Sequence, residues 1–366
     1  MAQQPTAPLP GPEDVPAAVN ASLRKFLNSR RNTAVEIDPY FTQLVDAVNE
    51  FTLQGGKRVR PTFLWAGWLA SGGADTAEDP AAVLHAAAAL ELVQACALIH
   101  DDIIDASDTR RGNPTVHRRF EAVHRDSQWH GDGGAFGRAM AILGGDLAMV
   151  WADDMLRESG LSTAALVRLQ NSWWRMRTEV LGGQAIDIVA ETSGDGRFEV
   201  AERINTYKTA AYTIERPLLI GSEIADASED ITHALATYGR NVGIAFQLRD
   251  DQLGLFGDPE VTGKPAGDDL RQGKRTMLLA TALEKLQETA PDKATYLNES
   301  LGVVTDLEEI SELTELIRST GADDKMEQEI ARRTERGLDA LEIPELAEEH
   351  RSLLRSLAEK VTVRKL

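Results

Sequence analysis

From about residue 36 onward, most segments carry apolar residues at three- and four-residue spacing. Ala, Leu, Glu and Arg are common, and alternating β-branched residues are scarce. That period matches one face of a helix rather than the two-residue period of a strand, so the pattern predicts an all-α chain. Gly and Pro gather at 72–80, 112–114, 131–137, 194–196 and 257–267, where helices are expected to stop. Residues 1–18 are rich in Pro and poor in large apolar groups and read as a flexible lead-in. Beyond them no Pro/Gly/Ser-rich linker or internal repeat divides the chain, so 19–366 reads as one domain. The most apolar stretch, Ala81–His100, has 20 residues, the length of a membrane span. His85, Glu91 and Gln94 interrupt it, and an Asp pair follows at once. A charge near a bilayer centre costs about 2.5–3.5 kcal/mol. The stretch therefore reads as a buried central helix of a bundle, not a transmembrane segment.

Composition narrows the class. The 366 residues carry a formal net charge of −19, which excludes a general nucleic-acid binder lacking a basic face. With 42% hydrophobic and 27% charged residues the chain folds. A lone cysteine, Cys96, excludes an intrachain disulfide framework. The N-terminal segment lacks the basic-then-apolar pattern of a secretory signal, so a cytoplasmic location is expected.

The candidate chemistry sits at two acidic clusters. Asp101-Asp102-Ile103-Ile104-Asp105 closes the Ala81–His100 helix, and Asp108 and the pair Arg110-Arg111 follow. If the helix continues, Asp101, Asp105 and Asp108 share one face. Carboxylates stacked this way repel one another and oppose the helix dipole, so a cation is expected to offset them. Oxygen-only donors suit Mg²⁺, which takes one or two carboxylates with waters and substrate phosphates. Arg110 and Arg111 offer planar forks for phosphate. Farther on, Asp250-Asp251 closes a second apolar helix, followed by Gly263-Lys264-Pro265 and Asp268-Asp269. Gly55-Gly56-Lys57-Arg58-Val59-Arg60-Pro61 forms a compact basic turn. Two acidic pairs facing each other across a cavity would grip one diphosphate through divalent metal.

Together, GGKRVRP, DDIID…RRG, FQLRDD and GKP…GKRT resemble the trans-type polyprenyl diphosphate synthases, over residues from about 36 to the C-terminus. The resemblance implies the all-helical isoprenoid-synthase bundle around a central cavity, a homodimer, and about three Mg²⁺ ions per site. It implies Lys57, Arg60, Gln94 and Arg111 as contacts to isopentenyl diphosphate. It implies Arg110, Lys208, Thr209, Gln247, Lys264 and Lys274 as contacts to the allylic diphosphate. Asp101, Asp105 and Asp250 match metal ligands, with Asp102 in support, and Lys208 joins them in the catalytic set. Gly183-Gln184 with Asp187 matches a lesser third motif that reads equally as a helix-packing element. The second acidic motif departs from the first: Gly254 stands at the position that Asp105 holds in DDIID. Asp268 or Asp269 is a candidate to compensate, as is water.

The implied reaction joins isopentenyl diphosphate head to tail to an allylic diphosphate. In members of this family, bulky residues four and five positions before the first Asp shorten the product. Here they are Ala97 and Cys96, both small, which predicts the C20 product geranylgeranyl diphosphate. Leu181, or one of Trp151, Trp173 and Trp174, would then floor the tail cavity. Farnesyl or longer products, a non-catalytic subunit of a heteromeric synthase and a terpene cyclase are the alternatives. Gly254 and Asp258 do not fit the second motif of a cyclase. The segment 125–137 reads as a Gly-rich loop over or near the site, and His100, His117, His124 and His130 read as structural.

Overall fold

The computed structural model describes residues 9–257 and 267–363. These residues fold into two compact units. Among them the only strands are two of two residues each, so the chain is all-α.

The first unit covers the chain to Leu169 together with Glu223–Asp226. It contains α1 (Val15–Ile37), α2 (Pro39–Leu53), α3 (Val59–Ala70), α4 (Pro80–Ile104), α5 (Val116–Asp126) and α6 (Gly133–Arg157). Helix α4 is its axis and packs most extensively on α6, with α1 and α3 also against it. Its apolar run is buried as the pattern predicts: Ala86 through Leu90 are each 1% exposed or less. Full burial of a Leu or Val is worth about 1.5–3 kcal/mol, so this one helix supplies much of the unit's cohesion. By length and composition α4 and α6 would each cross a membrane, but 78% of the apolar window of α4 is buried inside the unit.

Three boundaries differ from the sequence pattern. Helix α1 begins at Val15, inside the Pro-rich lead-in, because Val15, Val19 and Leu23 share one buried face. The loop expected over 125–137 shrinks to 127–132. There Asp132 caps α6 by accepting the Gly134 N–H at 2.8 Å, so the glycines open a helix instead of ending one. Trp129 packs edge-on against Tyr40, His124 and Phe136 and pins this loop down.

Helix α7 (Thr163–Ser193) carries the chain past Leu169 into the second unit, which covers Gln170–Ser222 and Ala227–Leu366. There α8 (Phe198–Ile204) runs without a break into a π-helical segment, Asn205–Glu215, and then α9 (Arg216–Ile224). Helix α10 (Glu229–Phe256) follows, then α11 (Asp268–Gln272), α12 (Met277–Thr289), α13 (Pro291–Ser300), α14 (Leu307–Ser319), α15 (Ala322–Asp339) and α16 (Glu348–Thr362). Helix α10 is packed chiefly between the π-helical segment and α15. Gly239 and Gly243 make this approach possible: a Cβ on either would lie 2.7 Å from the Cα of Glu215 or Ala210. On its other side Arg249 donates to Thr362 O at 2.9 Å and forks onto Glu327 at 2.5 and 2.8 Å.

Candidate active site

In the first unit α4 ends at Ile104, and Asp105 is its C-cap, with its N–H on Asp101 O at 2.8 Å. Asp101 and Asp105 thus stand one turn apart. Asp108 does not join them: the helix has ended, and its carboxylate accepts from Arg118 Nε at 2.7 Å. Asp102 turns inward and is 1% exposed. Burial pushes its carboxyl up to about 6, against the pull of Arg110 and with the charges of Asp101 and Asp105 adding to the rise. Its Oδ1 accepts from Arg110 Nε at 2.6 Å, while Oδ2 is buried without a partner. Arg110 also reaches Asp101, at 3.5 Å.

Arg110 and Arg111 project from a hairpin in which β1 (Thr109–Arg110) pairs antiparallel with β2 (Asn113–Pro114). Its two-residue turn puts Arg111 at φ 51° and Gly112 at φ 76°, the double left-handed geometry of a type I′ turn. That geometry aims Arg111 at the basic turn, where it donates to Gln54 O at 2.8 Å and Gly55 O at 3.1 Å. Burial, with Arg58 and Arg110 nearby, lowers the pKa of its guanidinium from the ordinary arginine value.

The basic turn is built on Arg58, which nothing in the motif itself distinguishes from Lys57 and Arg60. It is 4% exposed and left-handed at φ 49°. It pairs with Glu91 at 2.5 Å and donates to Asn20 Oδ1 at 3.0 and 2.7 Å and to Thr52 O at 2.9 Å. Glu91 therefore interrupts the apolar run of α4 as the counter-ion of Arg58. Lys57 beside it is exposed, Arg60 is half-buried at the start of α3, and Gln94 is half-buried on α4, three residues beyond Glu91. The first unit thus brings the basic turn to Arg111, with Gln94 one turn along α4 from Glu91.

In the second unit α10 does not stop at its Asp pair but runs on to Phe256. Gln247 stabilises the buried end of the pair, donating to Asp251 Oδ1 at 2.7 Å. Asp251 is held well above the ordinary carboxylate range by burial and then by the charge of Asp269. Asp250, its neighbour, is exposed. Lys208 and Thr209 lie half-buried in the π-helical segment. Such segments cluster at functional sites because the extra residue per turn costs hydrogen-bond quality. Lys208 Nζ contacts Asp187 Oδ2 at 2.5 Å. Gly183, one turn earlier on α7, lets the two elements meet: a Cβ there would lie 2.4 Å from Lys208 N. The third motif is therefore a packing contact and a lysine clamp at once. Lys274 is half-buried just beyond α11, with its N–H on Asp269 O at 3.1 Å. Lys264 lies outside the described residues.

Of the residues expected to set product length, Cys96 is 4% exposed and burial pushes its thiol up to about 12. Ala97 is half-buried. Leu181 and Trp174 are exposed at 59% and 49%, whereas Trp151 and Trp173 are buried.

The donors fit magnesium. Both sets offer carboxylates only, and among the described residues no group of three or more His, Cys, Asp or Glu side chains would hold a metal by itself. Mg²⁺ needs no such cage, since waters and substrate phosphates complete its octahedron.

The all-helical scaffold, the paired carboxylates and the Arg-rich turn define a diphosphate-handling enzyme. A model of the family described as polyprenyl synthetase matches residues 42–319, and the chain belongs to that family. It is 35% identical over 75% of its length to the short chain isoprenyl diphosphate synthase of Methanocaldococcus jannaschii, of which 76% is covered. It is 34% identical over 85% of its length to the geranylfarnesyl diphosphate synthase of Aeropyrum pernix, of which 91% is covered. Among solved structures, the geranylgeranyl pyrophosphate synthase of Corynebacterium glutamicum, complexed with isoprenyl diphosphate and magnesium, superposes with a TM-score of 0.94. Its identity is 50%, over 97% of this chain and 100% of that one. The fold is that of the helical isoprenoid synthases, and the chain is a prenyltransferase.

Proposed function

We propose that the chain condenses isopentenyl diphosphate with an allylic diphosphate, head to tail and with Mg²⁺, releasing geranylgeranyl diphosphate as the main product. The observation that carries this reading is the pair of separate cation sets. Arg111 is docked on the basic turn of Lys57 and Arg60 in one unit, and Lys208 is clamped by Asp187 in the other. Two diphosphates need two such sets.

Lys57, Arg60, Gln94 and Arg111 hold the diphosphate of isopentenyl diphosphate. Arg110, Lys208, Gln247, Lys264 and Lys274 hold the allylic diphosphate. Asp101, Asp105 and Asp250 would hold the divalent ions, about three by the family resemblance, and these would supply charge neutralisation to the leaving group. The allylic C–O bond breaks and leaves a carbocation, which the hydroxyl of Thr209 and nearby backbone carbonyls stabilise. The isopentenyl double bond forms the new C–C bond, and the resulting cation gives up a proton to the departed diphosphate. The cation has to be kept from water until the new bond forms.

Product length rests on Cys96 and Ala97, the small residues five and four positions before Asp101 on α4. Leu181, 59% exposed on α7, does not serve as the floor expected of it and belongs instead to the apolar stripe described below. Relatives named for different products share the fold, so the length needs measurement. Supplying isopentenyl diphosphate with each allylic starter, and reading products by mass spectrometry, should give mainly C20. Ala97→Phe should shift the product to C15 or shorter. A mainly C15 product from the parent, or an unchanged distribution in the variant, would overturn the assignment. Gly254 favours one second reading, a subunit active only with a partner; turnover by the purified chain alone excludes it.

A homodimer in the cytoplasm completes the proposal. Val167, Trp174, Leu181 and Ile188 recur every seven residues along α7 and are all exposed, an apolar stripe suited to a second copy.

A further inference from the structure

Thr115 stands at the N-cap of α5, where a Thr ordinarily accepts a hydrogen bond from an early amide of its own helix. Here its side chain makes no such cap bond. The hydroxyl turns back along the chain and donates to Ser107 O at 2.9 Å, with Asp108 O at 3.4 Å. His117, two residues on, places Nδ1 3.1 Å from the same hydroxyl oxygen. Thr115 is fully buried and His117 is 5% exposed. A hydroxyl has one proton. That of Thr115 goes to a carbonyl, so its oxygen accepts from the ring, and His117 carries its proton on Nδ1.

The surrounding backbone shows what this pair holds. Helix α4 ends in a Schellman turn: Ser107 N–H reaches Asp102 O at 3.0 Å, and Ala106 N–H reaches Ile103 O at 3.3 Å. Ser107 is thus fixed through its N–H by α4 and through its carbonyl by Thr115. Just beyond, the Thr115 N–H closes the base of the Arg110–Arg111 hairpin on Asp108 O at 3.1 Å. A hairpin with strands this short is not stable by itself in water. The exposed Arg118–Asp108 pair adds little. The buried Thr115–His117 pair is therefore the main tie at the hairpin's base. Helix α6 leaves it no slack, since a Cβ on Gly137 would lie 2.3 Å from His117 O.

We propose that Thr115 and His117 are positioning residues for the Arg110–Arg111 hairpin. They act through Arg111, which the hairpin docks on Gln54 O and Gly55 O, and so set where its guanidinium meets the diphosphate of isopentenyl diphosphate. This rests on the prenyl-transfer reading above.

The test combines calorimetric titration of isopentenyl diphosphate, without an allylic partner, with steady-state kinetics and amide hydrogen exchange over residues 107–115. Thr115→Val keeps the branched shape and removes the donor. It should weaken binding and raise the KM for isopentenyl diphosphate about tenfold, with kcat within about threefold and faster exchange in the hairpin. Thr115→Ser should return affinity to within about twofold of the parent. His117→Asn puts an amide N–H where Nδ1 stood and should keep the affinity. His117→Gln puts it at the Nε2 position and should lose affinity as Thr115→Val does. A merely structural role would lower melting temperatures without this ordering. Binding in Thr115→Val within about twofold of the parent overturns the proposal, as do His117→Asn and His117→Gln behaving alike. Should Thr115→Val fail to fold, the two His117 variants decide alone. If the parent elongates no prenyl chain yet the His117 ordering persists in binding, the reaction assignment fails and the role of the pair stands.

Discussion

Arg58 lies next to exposed Lys57, yet it is almost fully buried, held by Glu91, Asn20 and the Thr52 carbonyl. Its left-handed backbone is a strained conformation for a side chain with a Cβ, worth about 1–3 kcal/mol. That cost is sustained because the guanidinium is satisfied on three sides. Truncating one member of a buried ion pair leaves the other uncompensated, at about 3–5 kcal/mol. Arg58→Ala should therefore lower stability in urea denaturation by about 3 kcal/mol or more, whereas Lys57→Ala should change it by under about 0.5 kcal/mol. Lys57→Ala should instead raise the KM for isopentenyl diphosphate. A loss below about 1 kcal/mol in Arg58→Ala would mean that the turn is anchored elsewhere. Run as a motif, GGKRVRP shows basic residues but not which of them faces inward. The division depends on Glu91, 33 residues away.

Elements were legible where local period and burial agree. Helix α4 announces itself because its apolar residues outnumber what one face needs. The π-helical segment does not, since its wider turn is imposed by neighbours and leaves no periodic trace. The end of α10 lies beyond its Asp pair, which in sequence looks like a helix stop, because the stabilising contact from Gln247 exists only once the helix is built. The strands of the Arg110–Arg111 hairpin are too short for any alternation. Gly182 and Gly183 look alike in sequence, but only Gly183 faces the π-helical segment. A Cβ on Gly183 would lie 2.4 Å from Lys208 N and 2.8 Å from its Cα, while one on Gly182 meets nothing within 4 Å. Overpacking of this kind costs about 1–3 kcal/mol and shifts backbone. Gly183→Ala should lower the melting temperature and raise the KM for the allylic diphosphate through the displaced Lys208. Gly182→Ala, a better helix former in open space, should leave the KM unchanged and stabilise by up to about 1 kcal/mol. Equal behaviour of the two variants would remove the clamp from the account.

At the scale of the whole chain, the division into two units left no mark in composition, because α7 is one unbroken helix through residues 169 and 170. Its acid–base balance is more telling. The protein carries a net charge of −19, yet burial lowers the pKa of two of its histidines. His85, on α4, stacks edge-on against Phe26 at 6.5 Å with Nε2 buried and unpartnered. Burial lowers its pKa from 6.5; Lys25 adds to the lowering and Glu158 opposes it. His117 shifts the same way, again chiefly through burial. Below pH 6.5 the unfolded chain takes up these protons before the folded one does, so each histidine subtracts stability as pH falls. The loss stops growing once pH is below the folded value. Asp102, pushed up to about 6, has the opposite sign: the folded state holds its proton more tightly, which adds stability as pH falls through 6 toward 3.8. The parent curve mixes both, so the difference between proteins is the informative quantity. Melting temperatures from about pH 7.5 to about pH 5 should show His85→Gln gaining on the parent below pH 6.5 and running parallel to it above. Curves parallel throughout would mean that the ring accepts its proton in place, and that the contact between α1 and α4 around Phe26 opens without cost.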